Sequence, residues 1–333
     1  MFNIKCMDEN HGLNQDRAFS TTRLVKKADV PFVANFANYG GLRTEGWRKD
    51  STEDMPLISI ITVVRNDVVN IEETILSVLN QTYNNVEYII VDGASTDGTL
   101  DVIKKYGKYV DLWVSEPDEG LFYAFNKGVD LVTGNWVEFL NSGDFYYGNT
   151  VLAEIFIGQK LDADGVYGSI VCNVNGRRVI VNAHEDVAEK AWQGMRLIHE
   201  ALFVKAEIMK KFKFDTRYKV SADGDFVVKC IAAGYKFKKI NVVVFETRAQ
   251  GFSAVHWLVA RKENWIISRK YFPGLKADWY HLQGLVYFVV FRFFKQILSA
   301  IGIYDWLKKY YRRWLGDRIS REKYRHKEIG KTL

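Results

Sequence analysis

Two aspartates end apolar runs of the chain, in positions where a carboxylate can meet a ligand at the edge of a sheet. Asp92 ends the run V-E-Y-I-I-V-D, and Gly, Ser, Thr and Asp crowd the next seven positions. Asp144 follows W-V-E-F-L in the turn-like sequence N-S-G-D. Apolar runs bounded by turn residues predict buried parallel strands, and ligands of such sheets bind outside the carboxyl ends of the strands. A carboxylate there can accept a hydrogen bond from a ring N–H group or bind Mg²⁺ or Mn²⁺ through oxygen.

A second pair of aspartates, Asp223 and Asp225, lies in the segment S-A-D-G-D-F at the predicted start of a helix. An N-terminal cap is the structural alternative for either residue, because Asp is favoured at that position. A carboxylate can instead act as a general base when it comes within hydrogen-bond distance of the proton it removes. The residue pattern leaves both roles open.

The elements that must position these carboxylates follow from the periodicity of residues 57–140. Strands are predicted at Leu57–Val63, Val86–Val91, Val110–Val114 and Trp136–Leu140. Helices are predicted over Ile71–Leu79, opened by an Asn70–Glu73 capping box, over about Asp97–Tyr106, and over Leu121–Val132. Four strands alternating with three helices predict right-handed crossovers and a parallel sheet, so that Asp92 and Asp144 lie at one sheet edge.

The pattern changes after Asp144. Strand-like runs occur at Gly165–Cys172, Arg177–Val181, Leu197–Val204 and Lys239–Glu246, and the first two are joined by the hairpin-like turn N-V-N-G. Helices are predicted over Glu207–Phe212 and Asp225–Ala233. A second half that is built differently from the first therefore follows the parallel sheet.

These motifs together resemble the family 2 inverting glycosyltransferases. The matching pieces are I-S-I-I-T-V-V-R-N, S-V-L-N-Q-T-Y, V-D-G-A-S-T-D-G-T, S-E-P-D-E-G-L-F-Y-A-F-N-K-G and F-L-N-S-G-D. H-E-A-L-F-V and S-A-D-G-D-F are similar to the colanic-acid, exopolysaccharide or O-antigen branch. The resemblance covers about residues 56–253, and only the motifs in combination are specific. It implies an α/β chain with the GT-A fold, in which a Rossmann-like nucleotide-binding sheet precedes an antiparallel, acceptor-side half.

The resemblance also implies roles for individual residues. It assigns Asp92 to the nucleobase, usually uracil, and Asp223 to the general base, with Asp225 at the second acidic catalytic position. His199 and Glu200 match positions near the acceptor. The further nucleotide-binding positions are Val64, Asn66, Ser95, Asp118, Gly120, Asn126, Lys127, Asn141 and Ser142.

The family binds a divalent metal, Mg²⁺ or Mn²⁺, at the place where this chain has Asp144. The metal acts as a Lewis acid on the leaving diphosphate. Asn141 and Gly143 replace carboxylates that are common in the family, so Asp144 is the only acidic ligand in the motif. This departure implies that the metal binds weakly without a nucleotide.

The implied function is the transfer of one sugar from a nucleotide-diphosphate sugar, such as a UDP-sugar, to a hydroxyl of a saccharide acceptor. The acceptor expected from this branch is carried on polyprenyl diphosphate in bacterial surface polysaccharide biosynthesis. No Q-x-x-R-W signature follows the base, which indicates a non-processive enzyme. A non-catalytic nucleotide-sugar-binding scaffold is the alternative, favoured by Asn141 and Gly143. A nucleotidyltransferase would need a Gly-rich, basic phosphate loop, and V-V-R-N is not one.

Composition and charge indicate where the protein works. The chain of 333 residues is 48% hydrophobic and 26% charged, which excludes a disordered protein. Its three widely spaced cysteines and the absence of a signal-like N-terminus predict a reducing cytoplasm. The net charge of +6 is concentrated in residues 301–333, which hold ten Lys/Arg and four Asp/Glu. Such a tail predicts nucleic acid or an anionic membrane as partner, and its many aromatic residues favour the membrane.

Three regions are expected: an extension over residues 1–55, the glycosyltransferase domain over 56–253, and a helical, basic-aromatic region over 254–333. Arg43 or Trp47 of the extension either packs along the domain or reaches the acceptor cleft. In the last region, Leu285–Phe291 is apolar but shorter than the roughly 20 residues that a spanning helix needs. An amphipathic helix over Ile303–Leu315 predicts peripheral binding to the cytoplasmic face of the inner membrane and no nucleic acid. Packing of these aromatics onto the domain is the alternative.

Overall fold

The computed structural model of the protein describes residues 26–27, 36–159, 161–174, 177–195, 197–247 and 256–300. The chain divides into two compact units, Met1–Pro273 and Gly274–Leu333. The strands are β1 Lys26–Lys27, β2 Asn38–Gly40, β3 Trp47–Arg48, β4 Ile58–Val64, β5 Val86–Asp92, β6 Leu112–Ser115, β7 Trp136–Phe139, β8 Asp144–Tyr146, β9 Gly165–Val174, β10 Arg177–Val181, β11 Leu202–Lys205 and β12 Phe237–Thr247. The helices are α1 Ile71–Leu79, α2 Thr99–Lys105, α3 Leu121–Leu131, α4 Val151–Phe156, α5 Ala206–Phe212, α6 Ala222–Ala232, α7 Trp257–Tyr271 and α8 Leu275–Ala300.

A mixed sheet forms the centre of the first unit. Its strands run in the order β2-β6-β5-β4-β7-β11-β9-β12-β8, and β10 pairs with β9. The strands β6, β5, β4 and β7 are parallel, whereas β11 is antiparallel to both β7 and β9. The strand β8 is antiparallel to β12. This arrangement confirms the predicted α/β class, with a parallel half followed by a largely antiparallel one.

The parallel strands are buried on both faces. Every residue of β4 and β5 is buried. Because successive side chains of a strand point to opposite faces, Ile60 belongs to one apolar cluster and Ile61 to the other. Helix α1 contributes Ile75 to the first cluster, and α3 contributes Phe125 to the second. Helices therefore cover both faces of the sheet, which leaves its edges for binding.

The structure corrects several local expectations. The Asn70 side chain donates to Asp67 Oδ1 at 2.6 Å and makes no cap hydrogen bond to α1, so the predicted capping box is wrong. Within the predicted strand Leu197–Val204, residues 199–201 form a 3-10 turn and the strand begins at Leu202. Helix α6 begins at Ala222, three positions before its predicted start, which places Asp223 in the first turn. The hairpin tip at residues 175–176 and the predicted helix Ile303–Leu315 lie outside the described residues.

The segment ahead of β4 inserts two cations into the domain. Arg43 donates to the carbonyl of Leu131 at 2.6 Å and to Glu87 Oε1 at 3.3 Å. Lys49 donates to Asp111 Oδ2 at 2.7 Å, and both of these side chains are almost wholly buried. Burial raises the pKa of Asp111, and Lys49 opposes that rise. Because Glu87 lies at the amino end of β5, Arg43 packs along the domain at the edge opposite to Asp92.

The second unit begins after the predicted Pro273-Gly274 break, and α8 is its described helix. One stripe of this helix carries large apolar side chains that are exposed to solvent, namely Leu275, Trp279, Leu282, Val286 and Val290. Their spacing of three and four residues places them on one face. Among the described helices, none combines the length and the hydropathy of a membrane-spanning segment.

Candidate active site

The loops that follow β4, β5 and β7 meet at one edge of the sheet through hydrogen bonds. The N–H of Gly93 donates to the carbonyl of Val64 at 2.9 Å, which ties the second loop to the first. The hydroxyl of Ser142 donates to Asp67 Oδ2 at 2.6 Å, which ties the third loop to the first. Val64, Asn66, Ser95 and Ser142, four of the predicted nucleotide-binding residues, thus lie on one connected edge.

Asp92 is the centre of this edge. The residue is 1% exposed, and its carboxylate accepts the N–H of Ser95 at 3.1 Å, the hydroxyl of Ser95 at 2.5 Å and the hydroxyl of Ser115 at 2.6 Å. It does not cap α2, because Asp97 accepts the N–H of Thr99 at the start of that helix. Asp92 therefore plays no part in the start of α2, and its carboxylate fixes the loop that follows β5.

Two residues beside Asp92 adopt left-handed backbone conformations. Asn66 has a φ of 54°, and Ala94 has a φ of 55°. The N–H of Asn66 donates to the hydroxyl of Ser95, and the Asn66 side chain accepts the N–H of Thr96 at 2.8 Å. Asn tolerates this conformation, whereas Ala is sterically strained in it. The surrounding hydrogen bonds offset that strain. Such strain is concentrated at functional sites, which supports a binding role for this edge.

A charged cluster borders the same edge beside α3. Lys127 Nζ lies 2.5 Å from Asp118 Oδ1 and 2.7 Å from Glu116 Oε1. A Cβ on Gly93 would lie 3.3 Å from atoms of Arg65 and Asp118, so both side chains close over this glycine. Burial lowers the pKa of Lys127, but the two carboxylates outweigh it and the pKa is raised. The lysine is therefore a cation held in place by two carboxylates beside this edge.

Two other predicted nucleotide-binding residues belong to α3. Gly120 precedes the helix with a φ of 153°, a conformation in which side chains are strained. The amide of Asn126 is fully engaged with the backbone of Phe214, donating to its carbonyl and accepting its N–H, both at 2.9 Å. Asn126 therefore ties α3 to the segment after α5, and its side chain has both groups in use.

Three further residues of the predicted site meet around His199. Its Nδ1 lies 3.1 Å from Glu200 Oε2 and 3.0 Å from Asp223 Oδ2, and a quarter of its side chain is exposed. Burial lowers the pKa of His199, but Glu200 and Asp223, with a smaller contribution from Asp144, outweigh it and raise that pKa to about 9. His199 is therefore a cation at neutral pH, held between two carboxylates.

Asp144 joins the same cluster. It is almost fully buried on β8, paired with Thr247 of β12. Burial raises the pKa of Asp144 to about 7, the Thr247 hydrogen bond opposes the rise, and the charge of Glu200 adds to it. The structure thus brings together the predicted metal ligand, the predicted base Asp223 and the predicted acceptor residue His199, which the sequence separates widely.

Asp225 lies apart from this cluster. Its side chain is completely buried, and Oδ1 accepts hydrogen bonds from Lys270 Nζ and from the hydroxyl of Tyr271, each at 3.1 Å. Lys229 lies 3.5 Å from Oδ2. Residues two apart on a helix face different directions, so the side chains of Asp223 and Asp225 do not face the same ligand. Asp225 ties α6 to α7.

The oxygens of the turn around Asp144 are of the kind that bind a divalent cation. The Oδ1 atom of Asn141 is buried without a hydrogen-bond partner in the described structure, which leaves a hard oxygen donor in the turn that leads to Asp144. No group of three or more His, Cys, Asp or Glu side chains among the described residues is arranged to hold a metal alone. Mg²⁺ sites commonly use one or two carboxylates and complete the shell with waters and substrate phosphates.

Glu138 is a residue of this region that the motifs did not identify. It lies on β7 without solvent exposure, its Oε2 accepts the Tyr146 hydroxyl at 2.9 Å, and its Oε1 has no partner in the described chain. Burial raises the pKa of Glu138 to about 8, and the charges of Asp144 and Glu200 add to the shift. An acidic residue within the apolar run W-V-E-F was the available signal.

The buried carboxyl of Glu138 predicts a pH-dependent stability. The folded protein holds this proton up to about pH 8, whereas the unfolded chain releases it near pH 4.5. The folded state therefore binds more protons in this window, so the free energy of unfolding falls as pH rises, by at most about 1.4 kcal/mol per pH unit. Glu138→Gln should reduce this slope and stabilise the protein at pH 8.

Urea unfolding at pH 5.5 and pH 8 measures the effect. The exposed Glu154 supplies the control, because Glu154→Gln should leave the slope unchanged. Equal slopes for the wild type and Glu138→Gln would show that Glu138 is ionised in the folded state.

Comparisons with known proteins match one family. The sequence model of the family described as glycosyl transferase family 2 matches residues 59–241. A PGL/p-HBAD biosynthesis glycosyltransferase of Mycobacterium bovis (strain BCG / Pasteur 1173P2) is 30% identical over 183 residues, 53% of this chain and 70% of that protein. An uncharacterized glycosyltransferase of Haemophilus influenzae is 39% identical over 95 residues, 28% of this chain and 38% of that protein.

A solved structure has the same fold. The S. aureus TarS fragment 1–349 in complex with UDP-GlcNAc superposes with a TM-score of 0.52 at 18% identity. The match covers 63% of this chain and 64% of that one, so the chain spans less than two thirds of its length. At this identity the likeness shows the fold alone.

Proposed function

Because this chain belongs to glycosyl transferase family 2 and is a glycosyltransferase, we propose that it moves one sugar from a UDP-sugar to a hydroxyl of a saccharide acceptor, with inversion. The acceptor is an oligosaccharide on polyprenyl diphosphate, in surface polysaccharide biosynthesis of the colanic-acid, exopolysaccharide or O-antigen type. The observation that carries the proposal is the meeting of Asp144, His199 and Asp223 beside the edge centred on Asp92. UDP-GlcNAc binding by the TarS fragment supports a UDP-sugar donor.

Each part of the edge has one task in this proposal. Asp92 and its serine partners shape the nucleobase site, and Lys127 faces the diphosphate. The Asp144 carboxylate and the side-chain oxygen of Asn141 would hold Mg²⁺ or Mn²⁺, which supplies Lewis-acid stabilisation of the leaving diphosphate when bound. Asp223 removes the proton of the acceptor hydroxyl, whose oxygen then forms the bond to the anomeric carbon as the bond to UDP breaks. The imidazolium of His199 keeps the Asp223 carboxylate in place.

An assay of released nucleotide tests this function. The protein is incubated with Mn²⁺, a panel of UDP- and GDP-sugars and a polyprenyl-diphosphate-linked saccharide. A transferase releases the nucleoside diphosphate only with acceptor present. In a scaffold, bound nucleotide sugar would raise the melting temperature of the protein, but no nucleoside diphosphate would be released. A nucleotidyltransferase would yield pyrophosphate.

Removal of the single acidic metal ligand has a predicted effect. Asp144→Ala should lower kcat about 10²–10³-fold, because the loss of one strong contact to developing charge costs roughly 3–4 kcal/mol. The melting temperature without ligand should not fall, since the substitution removes a buried carboxyl. Kinetics and thermal unfolding in the same buffer check both points, and turnover near the wild-type rate would exclude Asp144 from the mechanism.

We propose further that α8 binds an anionic membrane surface, which would bring the enzyme to a lipid-linked acceptor. Its apolar stripe, with Trp279 and Val286 exposed, has the composition of a helix lying in a membrane interface. The Lys and Arg residues of the sequence after position 300 add attraction of about 1 kcal/mol each near anionic lipid. The expected location is the cytoplasmic face of the inner membrane.

Flotation with anionic liposomes measures this contact. The full chain should float, whereas a truncation after Pro273 and the variant Trp279→Glu/Val286→Glu should float less. Ile157 of the first unit is as exposed as Val286, at 53% against 54%, so Ile157→Glu is the matched control and should float normally. Equal flotation of all variants would contradict the assignment of α8 to the membrane.

A further inference from the structure

Glu263 of α7 binds the backbone just ahead of the helix that carries Asp223. Its Oε1 accepts the N–H of Lys219 at 2.8 Å, and its Oε2 accepts those of Val220 and Ser221 at 3.0 and 2.8 Å. The Glu263 side chain is buried. Three successive N–H groups directed at one carboxylate form an anion-binding nest with charge-assisted hydrogen bonds. The contact therefore has a fixed geometry, unlike a pair of solvent-exposed charges.

These hydrogen bonds fix the direction in which α6 begins. The carbonyl of Ser221 accepts the N–H of Asp225 at 2.9 Å, and this hydrogen bond closes the first turn of α6. A carboxylate at the amino end of a helix also interacts favourably with the helix dipole. Asp223 follows Ser221 by two residues, so a displacement of residues 219–221 passes directly to the Asp223 carboxylate.

The next residue of α7 packs against the same turn. A Cβ on Gly224 would lie 3.4 Å from Asn264 Oδ1, and one on Gly194 would lie 3.1 Å from the same atom. Asn264 thus packs where two glycines leave room, one of them adjacent to Asp223. Helix α7 lies beyond residues 59–241 that match the family, and so the match assigns it no role.

We propose that Glu263 is a positioning residue for the sugar-transfer reaction. It holds residues 219–221 so that the Asp223 carboxylate stays against His199 and faces the acceptor hydroxyl. The proposal rests on the proposed function, in which Asp223 takes the acceptor's proton. The hydrogen bond from Tyr271 to Asp225 also joins α7 to α6, but on another face of the helix, so it supplies a matched control.

The test compares Glu263→Ala and Glu263→Gln with Tyr271→Phe. In Glu263→Ala, kcat for UDP release should fall about 10²-fold, because a misplacement of the base by about 1 Å has an effect of that size. In Glu263→Gln, kcat should fall less. KM for the UDP-sugar should stay unchanged. Tyr271→Phe should lower the melting temperature and leave kcat unchanged.

A second readout does not depend on turnover. NMR titration of His199 should give a pKa shifted from about 9 toward 6.5 in the Glu263 variants, because Asp223 then moves away while Glu200 and Asp144 remain. Tyr271→Phe should leave this pKa unchanged. If Glu263→Ala does not fold, Glu263→Gln decides. A folded Glu263→Gln with wild-type kcat and wild-type His199 titration overturns the proposal. If the wild type turns over no nucleotide sugar, the proposed function fails, and the titration still reports whether Glu263 holds Asp223.

Discussion

Asp223→Asn should lower kcat about 10²–10⁴-fold, the contribution typical of a general base, while the KM for the UDP-sugar changes little. Asn has nearly the same shape as Asp, and its carbonyl can still accept the N–H of Gly224, which Asp223 accepts at 2.8 Å. It cannot take a proton from the acceptor hydroxyl. The loss should therefore appear in the chemical step and not in the binding of the donor.

Asp225→Asn separates the two aspartates of S-A-D-G-D-F. Asp225 is buried against Lys270 and Tyr271, so its replacement removes a charge from a buried pair and should lower the melting temperature. Turnover by the folded fraction should persist. An inactive Asp225→Asn beside an active Asp223→Asn would reverse the assignment of the base.

The stereochemistry of the product tests the same step independently. A single displacement that uses one base inverts the anomeric centre. NMR coupling constants of the product sugar, compared with those of the donor, measure the configuration. Retained configuration would contradict a mechanism in which Asp223 acts only as a base.

The sequence was most informative where the chemistry is local to one strand and its loop. The positions of Asp92 and Asp144 followed from apolar runs that end in turn residues, and parallel pairing of β4 with β5 and β7 places such ends at one edge. The α/β class followed from the alternation of strand and helix patterns. These features depend on periodicity, which a single sequence carries.

The sequence was least informative where a residue's role depends on distant partners. Asn126 has a motif position at the nucleotide site, yet its amide binds the backbone of Phe214, 88 positions later. The separation of Asp223 from Asp225 depends on where α6 begins, and helix ends are poorly specified by local pattern. The contact of His199 with Asp223 has no sequence periodicity at all, and only the assembled fold brings the two together.

The segment ahead of β4 is another case of long-range pairing. Its sequence holds no motif and is compatible with two interpretations, packing along the domain or reaching the acceptor cleft. The structure adds that Lys49 Nζ is buried against Asp111 Oδ2, which also accepts the N–H of Tyr88 at 2.8 Å. Lys49 thus neutralises a carboxylate at the start of β6, inside the sheet. The described residues of the extension next to β4 are therefore packed into the domain.

Lys49→Ala should therefore lower the free energy of unfolding by about 3–5 kcal/mol, because it leaves the Asp111 charge buried without its cation. The exposed pair of Lys105 and Glu72, 56% and 42% exposed, has the same N–O distance of 2.7 Å and supplies the control. Lys105→Ala should cost less than about 1 kcal/mol. In Lys49→Met/Asp111→Asn no charge remains buried, so part of the stability should return. Urea unfolding of the four proteins measures these differences, and equal losses for Lys49→Ala and Lys105→Ala would show that burial does not set the strength of the Lys49 pair.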